Sequence, residues 1–485
     1  MAQRGRSRLS LLTMGGLAAG VPDAYTPAND AGGEWVLTEL QAVYGDDLTV
    51  LDVQHARYRS ALNAFERMYG PGPASVFRAP GRVNLIGEHT DYSQGYVLPV
   101  ALDRDVLLVA RAREDGQVRL ANVESEFEPA HFHLSAGIPS EPKGHWSNYA
   151  RGAAQLLAAD YSTGKGMDGL LCGQQPWGIP RGAGLSSSSA LTVVVALALS
   201  EFNGLALDRP TLAEACGRAE WYVGTRGGIM DQFASLLSER ATALFLDCRP
   251  TPAAGEYLAR RVPLPDGYAI VVVDSGVRHS NTGPLYNTRV AEVRAGVALL
   301  QERWPRLQYL RDLEGIPWDA YGDLLPERIS VAALEGRGIV LSRLLNGGII
   351  PREQELLVRS RCRHVVSENA RVLEAVSALD VGDIKRFGAL MSAAHASVRD
   401  DFGVSTPELE TLIAAAGQIP GVAGTRLTGA GWGGCIVALV ERTSVPPFVE
   451  TIERSYHLAT GLSAHAFVCQ AGPGACRVIE TMIQE

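Results

Sequence analysis

No apolar run in this chain reaches the eighteen or so residues that cross a bilayer as a helix, so nothing in it reads as a transmembrane segment. Cysteine is scarce and scattered: Cys172, Cys216, Cys248, Cys362, Cys435, Cys469 and Cys476 stand singly. None forms a C-x-x-C pair and the number is odd, which excludes a zinc ribbon and a disulfide framework and leaves reduced thiols in a cytoplasmic setting. Basic residues fall short of acidic ones, 44 against 53, for a formal net charge of −9. That balance excludes a general nucleic-acid binder or a membrane-surface binder. The N-terminus superficially imitates a secretory signal, because Arg4, Arg6 and Arg8 precede a stretch of small and apolar residues over 9–21. Gly15, Gly16 and Gly20 break its apolar core. Residues 1–33, rich in Gly, Ala and Pro, read as a flexible extension reaching at most to residue 45, with Met14 a second candidate start.

What is present is a chain of 485 residues, enough for two or three domains with a substantial core. Apolar spacing predicts helices over 51–69, 146–159, 210–223, 287–302, 367–379 and 381–396, and strands over 76–78, 95–98, 106–111, 170–174, 268–274 and 434–441. Helices and strands mix without a regular βαβ repeat, so the expected class is α+β.

Four glycine-bearing stretches carry the chemistry. Residues 178–191 read G-I-P-R-G-A-G-L-S-S-S-S-A-L and run into an apolar stretch, 192–200, suited to a buried helix. Glycines admit positive φ and close backbone approach, and amides at a helix N-terminus favour an anion, so this is a candidate phosphate loop. No Gly-Lys-Ser/Thr follows the glycines, which excludes a Walker A loop. The alternative is a plain Ser/Gly turn before a helix. Residues 77–99 read F-R-A-P-G-R-V-N-L-I-G-E-H-T-D-Y-S-Q-G-Y-V-L-P, residues 220–237 read E-W-Y-V-G-T-R-G-G-I-M-D-Q-F-A-S-L-L, and residues 426–435 read R-L-T-G-A-G-W-G-G-C. Glu88, His89 and Asp91 crowd three titratable groups into one short run, a poor composition for a plain core and a good one for holding several hydroxyls. Asp231 follows a Gly-Gly turn and is either an exposed carboxylate at a loop-to-helix boundary or a helix N-cap.

In this order and from about residue 51 onward, the four stretches resemble the GHMP kinases, and within them the galactokinases. The resemblance implies a two-lobed fold with the active site in the cleft between an N-terminal lobe (46–245) and a C-terminal lobe (246–485). It implies ATP-dependent phosphorylation of D-galactose at its C1 hydroxyl, with Mg2+, in the cytoplasm, and with no nucleic acid or membrane partner. By the same resemblance Asp231 is the base facing the sugar C1 hydroxyl. Arg82 pairs with it and stabilises the transferring phosphoryl group. Glu88, His89, Asp91, Gly228, Asp231 and Tyr286 line the sugar site. Trp146 and Tyr149 flank adenine, although their i, i+3 spacing also suits a core-facing helix. Gly182, Gly184, Leu185, Ser186, Ser187 and Ser188 cradle the phosphates, Ser188 and Glu220 hold the metal, and the 429–434 loop supports the phosphate loop. Arg82, Arg181, Arg226 and Arg278 lie in or beside the motifs and are candidates for the local positive charge an acidic chain needs for ATP, the alternative for any one of them being a solvated surface arginine. Two related activities stay open, N-acetylgalactosamine kinase and L-arabinokinase, as does a non-catalytic co-regulator that senses sugar and ATP.

One stretch departs from the family pattern. Between the L-R-D segment at 310–312 and the R-x-R-H-V-V-x-E-N stretch at 361–369, the chain carries extra residues over 324–351, read as an additional helix and loop on the C-terminal lobe.

Overall fold

A computed structural model describes residues 33–224, 227–251, 255–278, 282–340 and 350–480. The helix Leu48–Tyr69 shows how sequence spacing becomes packing. The Asp47 side chain accepts from the amides of Thr49 and Val50 at its start, and Gly70 ends it at positive φ. Its buried positions, Leu51, Gln54, Tyr58, Ala61 and Phe65, recur every three or four residues and so form one stripe. That stripe covers one face of a six-stranded sheet whose order is Cys476–Glu480, Ser75–Asn84, Pro99–Arg113, Gly166–Cys172, Gln117–Asn122, Ala130–His133. The other face carries the helices Ser147–Asp160, Ser187–Phe202 and Arg209–Ala219 in the largest apolar cluster. Ser187–Phe202 is buried along nearly its whole length, in keeping with its continuous apolar sequence.

A second sheet, in the order Val422–Thr428, Cys435–Glu441, Tyr268–Asp274, His465–Cys469, packs one face against the helix Ile384–Ser397 within the largest apolar cluster and the other against Pro407–Ala416 and Val445–Thr460 around a second apolar cluster. The helices Arg359–Asp380 and Ile384–Ser397 pair, as the periodicity predicts. Among the described residues one strand pair is parallel, Gln117–Asn122 with Gly166–Cys172, and the remaining ladders are antiparallel, which is α+β organisation.

Three expectations about organisation need correction. Residues 33–44 do not belong to an extension: they form the helix Gly33–Tyr44, with Leu40, Val43 and Tyr44 buried. The Tyr44 hydroxyl donates to Asp105 Oδ2 at 2.7 Å, and Asp105 also holds Arg57 and Arg78, so a buried anion ties this helix to the sheet. Residues 1–32 lie outside the described residues. The lobe boundary expected at 245/246 falls inside the strand Thr242–Asp247, which pairs with Tyr96–Val97 on one side and Ala259–Pro263 on the other. The last described strand, Cys476–Glu480, returns to pair with Ser75–Asn84. Ladder hydrogen bonds between distant segments, not chain order, thus assign residues to a sheet. In the 324–351 stretch, the short helix Val331–Gly336 is capped by the Ser330 hydroxyl and flanked by an unanticipated strand pair, Arg328–Ser330 with Glu355–Leu357; residues 341–349 lie outside the described residues.

Candidate active site

The phosphate-loop candidate leads directly into a helix. Ser186 takes a left-handed conformation at φ 58°, and the helix Ser187–Phe202 starts at the next residue. Gly184 sits at φ 79°, where a Cβ would lie 2.9 Å from the Thr428 carbonyl oxygen, and a Cβ on Gly429 would lie 2.5 Å from the Gly184 carbonyl oxygen. The serine loop and the 429–434 loop therefore touch backbone to backbone, an approach open only to glycine. The last glycine loop supports the first, as the sequence suggests.

Asp231 lies in the first turn of the helix Met230–Leu237, whose N-cap position is Ile229, so the N-cap alternative does not hold. Its carboxylate is used elsewhere. Arg82 donates from Nε to Oδ1 at 2.8 Å and places Nη2 2.7 Å from the same oxygen, while Ser186 Oγ donates to Oδ2 at 2.5 Å. Arg82 also donates from Nη1 to the Gly184 carbonyl at 2.6 Å, so one guanidinium joins the carboxylate to the glycine loop. The Asp231 side chain is 27% exposed, against 6% for Arg82, so the carboxylate is the member of the pair that solvent or a ligand reaches.

Two cavities meet at this pair. The larger, ≈ 610 Å³, is lined by Trp146, Tyr149, Gly182, Gly184, Leu185 and Ser186, and also by Ser187, Ser188, Arg82 and Asp231. The smaller, ≈ 290 Å³, is lined by Glu88, His89, Asp91, Gly228, Asp231 and Tyr286, and also by Arg82, Ser188 and Glu220. Each sequence-derived site residue thus lines one cavity or both. Trp146 lines only the larger, fixed by its indole N–H donating to the Glu128 carbonyl at 3.1 Å, and its edge-to-face neighbour there is Phe127 at 6.5 Å. Tyr149 lines both, and its hydroxyl meets Ser188.

The smaller cavity owes its shape to the turn after the strand Ser75–Asn84. Glu88 Oε1 accepts from the Gly429 amide at 2.9 Å; burial pushes its carboxyl up, against the pull of Arg426 and Arg82. His89 stands at φ 62°, with Nε2 donating to the Ala430 carbonyl at 3.1 Å and Nδ1 accepting from the Tyr92 hydroxyl at 3.3 Å. Burial, and then His364, push the imidazole down to about 3, so it is neutral. Phe402, Tyr286 and Trp432 surround its ring. Burial and the neighbouring Asp231 push Asp91 up to about 6, and the Met230 amide donates to its Oδ2 at 3.4 Å. A Cβ on Gly228 would lie 2.0 Å from that Oδ2, so glycine is required for Asp91 to sit where it does.

Glu220 begins a 3-10 turn after the helix Arg209–Ala219, and burial pushes its carboxyl up to about 7. Its Oε1 accepts from Gln232 Nε2 at 2.8 Å, and no ion pair reaches it among the described residues. A half-buried carboxyl with no cation paired to it, beside the Ser188 hydroxyl on the same cavity wall, fits a hard divalent ion. Among the described residues no three His, Cys, Asp or Glu side chains gather as a metal cage, so phosphate oxygens and water would have to complete the coordination.

Two further residues and one contact escaped the sequence reading. Gln232 holds Glu220, Phe127 partners Trp146, and Ser186, already expected at the phosphates, also binds Asp231. None belongs to a pattern that sequence could separate from ordinary helix or loop composition. Of the motif arginines, Arg82 reaches the junction. Arg181 lies on the rim, paired with Glu124 and Glu126, and Arg278 is held by Asp274. Arg226 lies outside the described residues. All seven cysteines are free. No helix among the described residues is long and apolar enough to cross a membrane.

Comparison with known proteins places this geometry. The galactokinase galactose-binding signature matches residues 63–112, the GHMP kinase N-terminal domain matches 148–239, and the GHMP kinase C-terminal domain matches 375–458. A galactokinase of Roseiflexus sp. (strain RS-1) is 39% identical over 417 residues, covering 86% of this chain and 96% of its own. One from Chloroflexus aggregans is 40% identical over 417 residues, covering 85% and 95%. The crystal structure of Lactococcus lactis galactokinase complexed with galactose superposes with a TM-score of 0.74 at 33% identity, covering 87% of this chain and all of that one. Methanococcus jannaschii mevalonate kinase, at 16% identity and a TM-score of 0.52 over 82% of this chain and 99% of its own, shares the fold alone. With both lobes matched in order and nearly the full length of its relatives spanned, the chain belongs to the galactokinase family of the GHMP kinases.

Proposed function

We propose that this protein transfers the γ-phosphoryl group of ATP to the C1 hydroxyl of D-galactose. The observation that carries this reading is the Arg82–Asp231 pair on the common wall of the two cavities, beside the serine loop. A nucleotide lying in the larger cavity would present its phosphates to the amides at the start of the helix Ser187–Phe202, where the helix dipole favours negative charge. A hexose in the smaller cavity would present its hydroxyls to Glu88, His89 and Asp91 and its anomeric end to Asp231. Asp231 then accepts the C1 hydroxyl proton as the oxygen attacks phosphorus, and Arg82 offsets the charge that grows on the transferring group. Ser186 and Arg82 hold the carboxylate from two sides, which fixes its orientation before substrate arrives. Ser188 and Glu220 would hold the magnesium ion, which neutralises charge across the phosphates when bound. ATP consumption also suits the cytoplasmic setting inferred from the free thiols.

D-Galactose over D-glucose follows from the buried acids. The two sugars differ in the orientation of the C4 hydroxyl, and a pocket whose carboxylates bond it in one orientation leaves them unpaired in the other. A panel of D-galactose, D-glucose, N-acetylgalactosamine and L-arabinose, scored by coupled ADP release, tests the reading. The expected outcome is the highest kcat/KM for galactose. A higher value for N-acetylgalactosamine or L-arabinose would replace the named substrate, and absence of sugar-dependent ADP release would remove the kinase reading altogether.

A further inference from the structure

The R-x-R-H-V-V-x-E-N stretch at 361–369 contributes nothing to the walls of either cavity, yet one face of its helix, Arg359–Asp380, grips the sugar loop at three points. Glu368 is fully buried, and its Oε1 accepts from the Gly87 amide at 2.8 Å. His364, four residues earlier, donates from Nε2 to the Glu88 carbonyl at 3.0 Å and accepts at Nδ1 from the Ser397 hydroxyl at 3.0 Å. Asn369 Oδ1 accepts from the Tyr96 amide at 3.0 Å. Positions 364, 368 and 369 project from one side of a helix, so the motif spacing puts all three polar groups against residues 87–96. Two of the three anchored positions, Gly87 and Glu88, flank the start of the run that lines the sugar cavity, and the third closes it.

Glu368 has a second connection. The same Oε1 accepts from Arg426 Nη1 at 3.1 Å, while Arg371 Nε donates to Oε2 at 2.7 Å. Arg426 is itself fully buried on the strand Val422–Thr428, which runs straight into the 429–434 loop. That loop's Gly429 amide donates to Glu88, and its Ala430 carbonyl accepts from His89. One carboxylate therefore fixes both the loop that carries the sugar-facing side chains and the strand that carries their backbone partners. Burial alone would push its carboxyl up; Arg371 and Arg426 outweigh that and hold it down at about 2, so the bridge is ionised at any working pH.

We propose that Glu368, with Asn369 and His364 on the same helix face, is a positioning residue for sugar binding: it bridges the Gly87 amide and Arg426 and so sets the spacing of Glu88 and His89 against the 429–434 loop. The proposal rests on the smaller cavity being the galactose site. Titration of galactose and ATP separately into the wild type and into Glu368→Ala, Glu368→Gln, Asn369→Ala and Asn369→Asp tests it. Failure of the wild type to bind galactose would defeat the substrate reading itself. Given wild-type binding, Glu368→Ala and Asn369→Ala should weaken galactose about tenfold or more, because a buried amide is left without an acceptor, and leave ATP within about twofold. Glu368→Gln and Asn369→Asp keep an acceptor oxygen and should recover part of the loss. The proposal is overturned if a folded alanine variant binds galactose as the wild type does, if galactose and ATP weaken in parallel, or if the conservative variants recover nothing. Should Glu368→Ala not fold, since its loss leaves Arg426 buried and uncompensated, the Asn369 pair decides by the same criteria.

Discussion

The two cavities share a wall but are built from opposite materials. The larger is lined by glycine and serine backbone and by aromatic side chains, and its motif arginine on the rim, Arg181, is half exposed and paired with surface acids. The smaller is lined by buried ionisable groups whose ordinary protonation behaviour is displaced: Asp91 up to about 6 and His89 down to about 3. A nucleotide can be held by dipoles, shape and stacking, because phosphate brings its own charge and adenine its own flat face. A neutral hexose brings only hydroxyls, so the protein must supply the buried polar groups that tell one epimer from another. Substitutions on the sugar side should therefore act steeply and those on the nucleotide side more gradually.

The largest effect is expected where the two materials meet. Asp231→Ala should lower kcat by about 10²–10⁴-fold while equilibrium nucleotide binding persists, and Arg82→Ala should act in the same direction. Turnover close to wild type in a folded Asp231→Ala preparation would break the proposed division of labour. Next comes Gly228→Ala. A Cβ there overlaps Asp91 Oδ2, so galactose KM should rise about tenfold or more with ATP KM little changed, and equal shifts in both would show that the two cavities do not act separately.

The pH response of Asp91 gives a third, smaller test. A carboxyl at about 6 is protonated below that pH, and the protonated form loses acceptor capacity toward sugar hydroxyls. Galactose KM should therefore rise as pH falls through 6 and level off above it, and Asp91→Asn should abolish the inflection. The stability sign runs opposite. A folded value raised above the unfolded one means the native state binds the proton more tightly, so this group favours folding least above pH 6 and relatively more as pH drops toward 4. Asp91→Asn should thus raise Tm at pH 7.5, with the gain shrinking on acidification. The smallest effect belongs to Trp146→Ala, which should raise ATP KM about two- to tenfold with galactose KM unchanged. An unchanged ATP KM in the folded variant would sharpen the comparison by moving adenine recognition to Phe127 and the rest of the cleft wall.

Local signals carried much of the architecture. The strand Tyr268–Asp274 and the helices Leu48–Tyr69 and Ser187–Phe202 follow from apolar spacing, because burial of one face or of all faces is a property of consecutive residues. Most of the site residues lining the two cavities were legible because they lie inside short glycine-bearing runs, whereas Trp146, Tyr149 and Tyr286 were reached through the family resemblance and Phe127 not at all. Gln232 was not, because its partner Glu220 reaches it only through the fold. Nor was the bond from Ser186 to Asp231, where a residue read as a phosphate ligand also orients the carboxylate 45 positions away.

By itself the sequence determined the α+β class, the helices of clearest apolar spacing, the glycine loops and the chemical types available to the site. Tertiary structure decided which sheet each strand joins, that the chain end at Cys476–Glu480 returns to Ser75–Asn84, and that residues 33–44 belong to the folded body. It also decided that Glu368 bridges Gly87 and Arg426. The physical reason is common to all four. Helix periodicity and backbone freedom are written in neighbouring residues, whereas a ladder, a buried ion pair or a shared cavity wall depends on the closure of segments far apart in sequence, whose pairing no local pattern encodes.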